Sequence, residues 1–288
     1  MSTQKIKLNN KTEKFYIHIF NIKLYSSTRK GKDAYIELFN ELYQKKITKP
    51  TGHSNNGILR TQFSTANSDV IYGKISRFTL IDIEGEWLNM EKMEKDSYEL
   101  PKHLFPNLKE TDYYFIPEAH RLAVKRDSSV SLNTVTNFLN NALKEVVRQG
   151  EAFEVNIEQS ISAFEEIFNA KRVASLEIDI SYSNADFNEA ATEYMDNELK
   201  SSNTQKVKMT FRPDQHNSIQ VENSQIISGA LGLAKSNGSA VAVIYDDNNK
   251  RKTVETKSFP RLERMEAKAD EIKSTIFDFI TQTFRRGE

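Results

Sequence analysis

The chain has no cysteine. That absence excludes disulfides, thiolate zinc sites and cysteine nucleophiles, and it suits a reducing compartment, so a cytoplasmic location is expected. Net charge is also lacking: 40 Lys and Arg balance 40 Asp and Glu, which leaves no overall field to draw in a polyanion. No stretch approaches the roughly 18 consecutive apolar residues of a membrane span. Residues 1–14 are polar, without an apolar signal core, so neither membrane insertion nor secretion is expected. Motifs that declare themselves by spacing are missing too. No glycine pattern cradles phosphate, no two histidines stand at a helical zinc spacing, and no serine sits in a nucleophile elbow. The sequence therefore calls for no cofactor and no metal.

What is present is a folding composition. Over 288 residues, 38% are hydrophobic and 10% aromatic, enough for a sizeable core. The segment Lys14 to Tyr25 is dense in aromatic and β-branched residues and predicts a strand; Asp33 to Tyr43 carries apolar residues at intervals of three and four and predicts a helix. Strands are expected at Ile58–Phe63, Val70–Ile83, Asp112–Pro117, His120–Arg126, Ala152–Ile157 and Val173–Tyr182. Helices are expected at Ser131–Arg148 and Ser160–Phe168. Beyond them come a helix at Ala185–Leu199, a strand at Lys206–Arg212, a helix at Ser224–Lys235 and a hairpin turning at Asp246–Asn249. A final helix after Pro260 would carry Met265, Ala269, Ile272 and Ile276. The expected class is α+β, with mixed or antiparallel sheets, interleaved helices and a long C-terminal helix. Two packed halves are expected, residues 1–170 and 171–288.

Two acidic sets invite a metal-dependent nuclease reading: Asp82 with Glu84 and Glu86, and Glu177 with Asp179, which alternate on a strand and so share a face. The structural alternative is a solvated strand face. Gly229 and Gly232 lie inside an apolar-periodic helix and read as close helix packing. Of the histidines, His18 falls within a strand, while His53 and His216 fall in polar turns.

Charge is unevenly spread. The first fifty residues hold 11 basic and 4 acidic side chains, and residues 151–200 hold 3 and 12, so a basic face and an acidic stretch that could meet partners are expected. Three basic clusters are candidates for nucleic-acid contact. They are Lys23 with Arg29, Lys30 and Lys32; Lys206, Lys208 and Arg212 beside Phe211; and Lys250, Arg251 and Lys252. Lysine and arginine supply affinity by neutralising phosphates, and aromatic faces help where bases are unstacked. Each cluster is otherwise ordinary solvated charge.

The run Asp112-Tyr-Tyr-Phe-Ile-Pro-Glu-Ala-His-Arg-Leu-Ala-Val-Lys125, with the helix at 131–147 behind it, resembles a family of bacterial and phage proteins of about this length associated with anti-phage defence loci. The layout of the second half, strand, helix, basic strand, helix and hairpin before a C-terminal helix, is loosely similar in architecture to the phage-lambda exclusion sensor family. The resemblance implies DNA binding and dimers but transfers no catalytic residue. The expected function is thus a nucleic-acid-binding or sensing component of an anti-phage defence system. It would be a homo-oligomer, contact DNA rather than RNA, and have a possible defence-system partner protein. The rivals are a metal-dependent nuclease or toxin effector, and a protein-binding assembly subunit using the acidic stretch 151–198.

Overall fold

The structure is a computed structural model that describes residues 12–50, 57–65, 70–80, 86–97, 101, 103–183, 189–214 and 217–284. Asp82, Glu84, His53, His216 and the first residues of the helix expected from Ala185 lie outside the described residues. In chain order the first elements are β1 (Thr12–Tyr25), α1 (Gly31–Gln44), β2 (Thr48–Pro50), β3 (Gly57–Thr65), β4 (Ile71–Thr79), β5 (Trp87–Asn89), β6 (Glu94–Asp96), β7 (Lys109–Ile116), β8 (Arg121–Lys125), α2 (Leu132–Leu143) and β9 (Ala152–Ile157). There follow α3 (Ile161–Phe168), β10 (Arg172–Ser181), α4 (Ala190–Ser201), β11 (Lys206–Phe211), α5 (Gln225–Asn237), β12 (Gly238–Tyr245), β13 (Arg251–Glu255), β14 (Leu262–Lys268) and α6 (Ile272–Phe284). The fold is α+β, as the sequence predicts.

The first sheet runs β14-β1-β8-β7-β4-β3-β2, curled, with β9 also paired to β1, and the pairing is antiparallel throughout. Period-two alternation gives it two buried faces. Phe20, Ile22, Leu24, Tyr113, Phe115, Leu122 and Val124 pack with α1 and α2, while Phe15, Ile17, Ile19, Tyr114, Ile116 and Ala123 pack beneath Ile272, Ile276 and Ile280 of α6. Burying an aliphatic side chain of this size is worth roughly 1.5–3 kcal/mol, so a strand buried on both faces anchors the sheet. Ser131 caps α2 as expected, its Oγ accepting from the Thr134 amide at 3.2 Å.

The stretch Phe115-Ile-Pro-Glu-Ala-His-Arg121 is the β7–β8 hairpin. His120 turns the chain at φ 57° and stacks on Tyr35 with ring centroids 4.2 Å apart. Arg121 donates through Nε to Glu158 Oε1 at 2.5 Å, and Arg261 donates to the other oxygen of Glu158 at 2.8 Å. This arginine pair shares one buried carboxylate and ties the hairpin to the start of β14.

The second sheet runs β11-β10-β12-β13, again antiparallel. Leu176, Ile178, Ile180, Ala240, Ala242 and Ile244 face α3, α4 and α5. Gly229 and Gly232 let α5 approach α4: a Cβ on Gly229 would stand 2.1 Å from the Ala191 carbonyl oxygen, and one on Gly232 2.0 Å from Thr192 Oγ1. Close packing is therefore their role.

Two expectations are corrected. Met265 and Ala269 do not belong to the last helix: Met265 lies in β14, opposite Phe15 of β1, and the helix begins only at Ile272. The division near residues 169–172 coincides with the passage from one sheet to the other, but residues 262–284 return to the first sheet and complete both its edge and its second core.

Candidate nucleic-acid interface

The first basic cluster is split by the fold. Lys23 is only 1% exposed. It follows Phe15, Ile17 and Ile19 on the same face of β1, beyond the reach of α6, where the second half takes over as cover. Lys23 Nζ donates to Ser181 Oγ at 3.1 Å and to the Tyr182 carbonyl. The Ser181 hydroxyl in turn donates to Glu154 at 2.6 Å, and Tyr25 donates to the same carboxylate oxygen at 3.0 Å. One strand residue earlier on that face, Asn21 donates to Asn237 Oδ1 at 2.7 Å. These residues form a polar seam between the sheets. Burial pushes the Lys23 ammonium down to about 7, against the opposing pull of Glu154.

Arg29 is also interior. Its Nε and one terminal nitrogen grip Glu151 at 2.8 and 2.7 Å, and it donates to the Val146 carbonyl at 3.2 Å. The charge-assisted fork holds the Glu151 carboxyl down at about 2. Neither Lys23 nor Arg29 can therefore reach a phosphate, which corrects their assignment as nucleic-acid contacts. Lys30 and Lys32 do line open space, a cleft of about 460 Å³ beside the first turn of α1, with Tyr25, Tyr182 and His120.

The second and third clusters meet. Antiparallel partners share a face, so the register fixes which side chains stand on the side of the second sheet opposite its helices. On β11 these are Lys206, Lys208 and Thr210; on β10, Ser181, Asp179 and Glu177; on β12, Ser239, Val241 and Val243. The irregularity between Val173 and Ser175 turns Arg172 to this same side, opposite Tyr245, which is in turn opposite Arg251 of β13. The Arg172 guanidinium lies over the Tyr245 ring, 5.2 Å from its centroid. Arg212 follows β11 in the same alternation, and Lys250 is exposed in the β12–β13 turn. Asp246 makes that turn by accepting from the amides of Asn248 and Lys250 at 2.9 and 2.8 Å.

At Ser181 and Ser239 this face is buried against the seam; beyond them it is open, and there its charge is graded. Lys208 pairs with Glu177 at 2.8 Å and Lys206 with Asp179 at 3.3 Å, so the middle of the face is neutralised. The Lys208 ammonium lowers the Glu177 carboxyl, which keeps that pair ionised. The acidic strand pair is thus already matched to lysines across the strand. Among the described residues, no group of three or more His, Cys, Asp or Glu is placed to hold a metal ion. Arg172, Arg212, Lys250 and Arg251 have no ion pair among the described residues, and Arg172 and Arg251 flank Tyr245; Glu255, opposite Val241, adds a carboxylate to this face, and Asp246 and Asp247 follow Tyr245 in the turn.

Two further residues are corrected. Phe211 pairs with Leu176 and packs with the helices, so its ring is not on the open face. Lys252 stands opposite Ile244, on the helical side, and pairs with Glu166 of α3 at 2.5 Å. Sequence reasoning missed Arg172 and Tyr245. The signal for Tyr245 was the alternation Ala240, Ala242, Ile244 against Val241, Val243, Tyr245.

Part of the charge asymmetry along the chain is matched by ion pairs inside it. Within the acidic stretch, Glu151, Glu158, Glu166, Glu177, Asp179 and Asp196 pair with arginines or lysines of this chain. Among the described residues no helix is long and apolar enough to cross a membrane.

The model of a protein family described as domain of unknown function DUF4747 matches residues 13–282, and the chain belongs to that family. The match runs from β1 into α6 and includes both sheets and the seam. No curated protein matches the sequence.

Proposed function

We propose that this DUF4747 protein binds nucleic acid on the open face of its second sheet and serves as a binding or sensing component of an anti-phage defence system. The observation that carries the reading is that register places Lys206, Lys208, Arg172 and Arg251 on one face of the second sheet, with Arg172 and Arg251 flanking Tyr245. Arginines free of carboxylate partners are suited to phosphate. A tyrosine–guanidinium stack offers a flat surface to an unstacked base, and open antiparallel sheets recognise single strands by that combination. Lys206 and Lys208 take part only if a phosphate displaces Asp179 and Glu177.

The defence setting, the preference for DNA over RNA and a homodimeric state rest on the resemblance at Asp112–Lys125 and on the architecture of the second half. The test is a titration of labelled single- and double-stranded DNA and RNA at about 50 and about 200 mM salt. Salt-sensitive binding that weakens in Arg172→Ala and Arg251→Ala is expected. Absence of binding at micromolar protein would overturn the proposal.

A second reading has its own observation. The β5–β6 hairpin exposes Leu88, Met90 and Met93 at 61%, 73% and 72%, an apolar tip suited to a partner protein. Co-purification with a neighbouring gene product, lost on Met90→Ser with Met93→Ser, would favour it.

A further inference from the structure

A second cleft, of about 620 Å³, opens where the end of β8, the start of α2 and the chain just before β14 meet. Its volume falls in the range of small-ligand sites. Apolar walls come from Leu132 and Val135 on one side and from Phe259 and Leu262 on the other, the last two 44% and 39% exposed. Cationic groups stand on the rim. Arg126 lies with its guanidinium 5.9 Å from the Tyr16 ring centroid, and Lys125 is beside it. Neither has an ion pair among the described residues. Asp127 also lines the cleft, its Oδ1 accepting from the Ser129 amide at 2.7 Å and from the Ser129 hydroxyl; its carboxylate offsets one of the two cations. The rim is left with a surplus of positive charge.

His18 supplies the third element. It is 8% exposed and lines the cleft. Its Nδ1 lies 3.2 Å from the Arg261 carbonyl oxygen, which can only accept, so Nδ1 carries the proton and Nε2 is an acceptor. Nε2 has no hydrogen-bond partner among the described residues. Burial lowers the imidazole pKa, which keeps the ring neutral and Nε2 able to accept.

The geometry points to a binding site for a nucleoside monophosphate in this cleft. That class uses every feature present: a phosphate for Arg126 and Lys125, a flat base between Leu132 and Phe259, and an exocyclic or ring N–H for His18 Nε2. The site is separate from the open face of the second sheet and does not depend on it.

Calorimetric titration of the full chain with AMP, GMP, CMP and UMP tests this, with inorganic phosphate and the four nucleosides as comparison probes. At least one nucleotide is expected to bind with a dissociation constant below about 1 mM. Affinity should fall tenfold or more in Arg126→Glu and in Phe259→Ala, both exposed positions that leave the core intact, and remain unchanged in Lys252→Ala. No binding by any nucleotide at several millimolar overturns the proposal. So does inorganic phosphate or a free nucleoside binding as tightly as the nucleotide, or nucleotide binding that neither variant weakens.

Discussion

Lys23 gives the seam between the sheets a signature in the pH dependence of stability. Its folded-state pKa of about 7 lies below the ordinary 10.5. Between those values the unfolded chain holds the proton and the folded chain does not, so unfolding takes up a proton and stability rises with pH. The slope is about 1.4 kcal/mol per pH unit. Below pH 7 both states are protonated, the cost of burying the ammonium is fully present, and the slope vanishes. From about pH 7.5 to about 9.5 the gain is on the order of 2–3 kcal/mol. That range lies above the titration of His18 and below that of Tyr25, whose burial raises its pKa and would lower stability in stronger alkali. Urea unfolding across the range is the assay, with Lys23→Met as the comparison. The variant keeps the length of the side chain, has nothing to titrate, and leaves the Ser181 hydroxyl and Tyr182 carbonyl without their donor. Wild type should gain stability with pH and the variant should run flat. A flat wild type, or a variant that keeps the slope, would refute the assignment of Lys23 to a buried seam.

The remaining expectations concern other parts of the fold. Glu151, held at about 2 by the Arg29 fork, contributes stability that is present above its ordinary 4.5 and lost as pH falls toward 2. Glu151→Gln should cost about 3–5 kcal/mol at neutral pH and flatten that acid limb in a circular-dichroism titration. Gly229→Ala should destabilise by about 1–3 kcal/mol in thermal melts, because its Cβ meets the Ala191 backbone rather than a movable side chain. On the open face, Arg212→Ala and Arg251→Ala should each reduce the slope of log affinity against log salt by about 1, whereas Lys252→Ala should leave it unchanged. An equal effect at Lys252, which points to α3, would count against the open face.

The parts of the fold legible in the sequence are those where local preference and tertiary role agree. The strand at β1 and the helix at α2 carry apolar patterns that the core then uses, and Ser131 marks a helix start that its hydroxyl does cap. Leu262–Lys268 shows the opposite case. Its residues, LERMEAK, are mostly strong helix formers, yet the edge of β1 needs a partner along Thr12–His18 and takes this segment as a strand. Burial of Lys23 and Arg29 was illegible for a related reason. A basic residue near a basic loop looks like surface charge until the chain brings Glu154 and Glu151 against it from more than a hundred residues away. The one sequence signal was that Asn21 and Lys23, like His18 before them, interrupt the run of apolar residues from Phe15 to Tyr25. For the basic clusters, sequence supplied the residues but not the face. Register across the strands separates Lys208 and Arg251 from Phe211 and Lys252, and no local pattern encodes that register.

The claim that nucleic acid lies on the open face of the second sheet is tested most directly by ultraviolet cross-linking of a thymine-containing single strand to the full chain, with the modified residue located by mass spectrometry. Cross-links at Tyr245 or its neighbours on β11, β12 and β13 are predicted. Cross-links confined to the first sheet and its helices would contradict it.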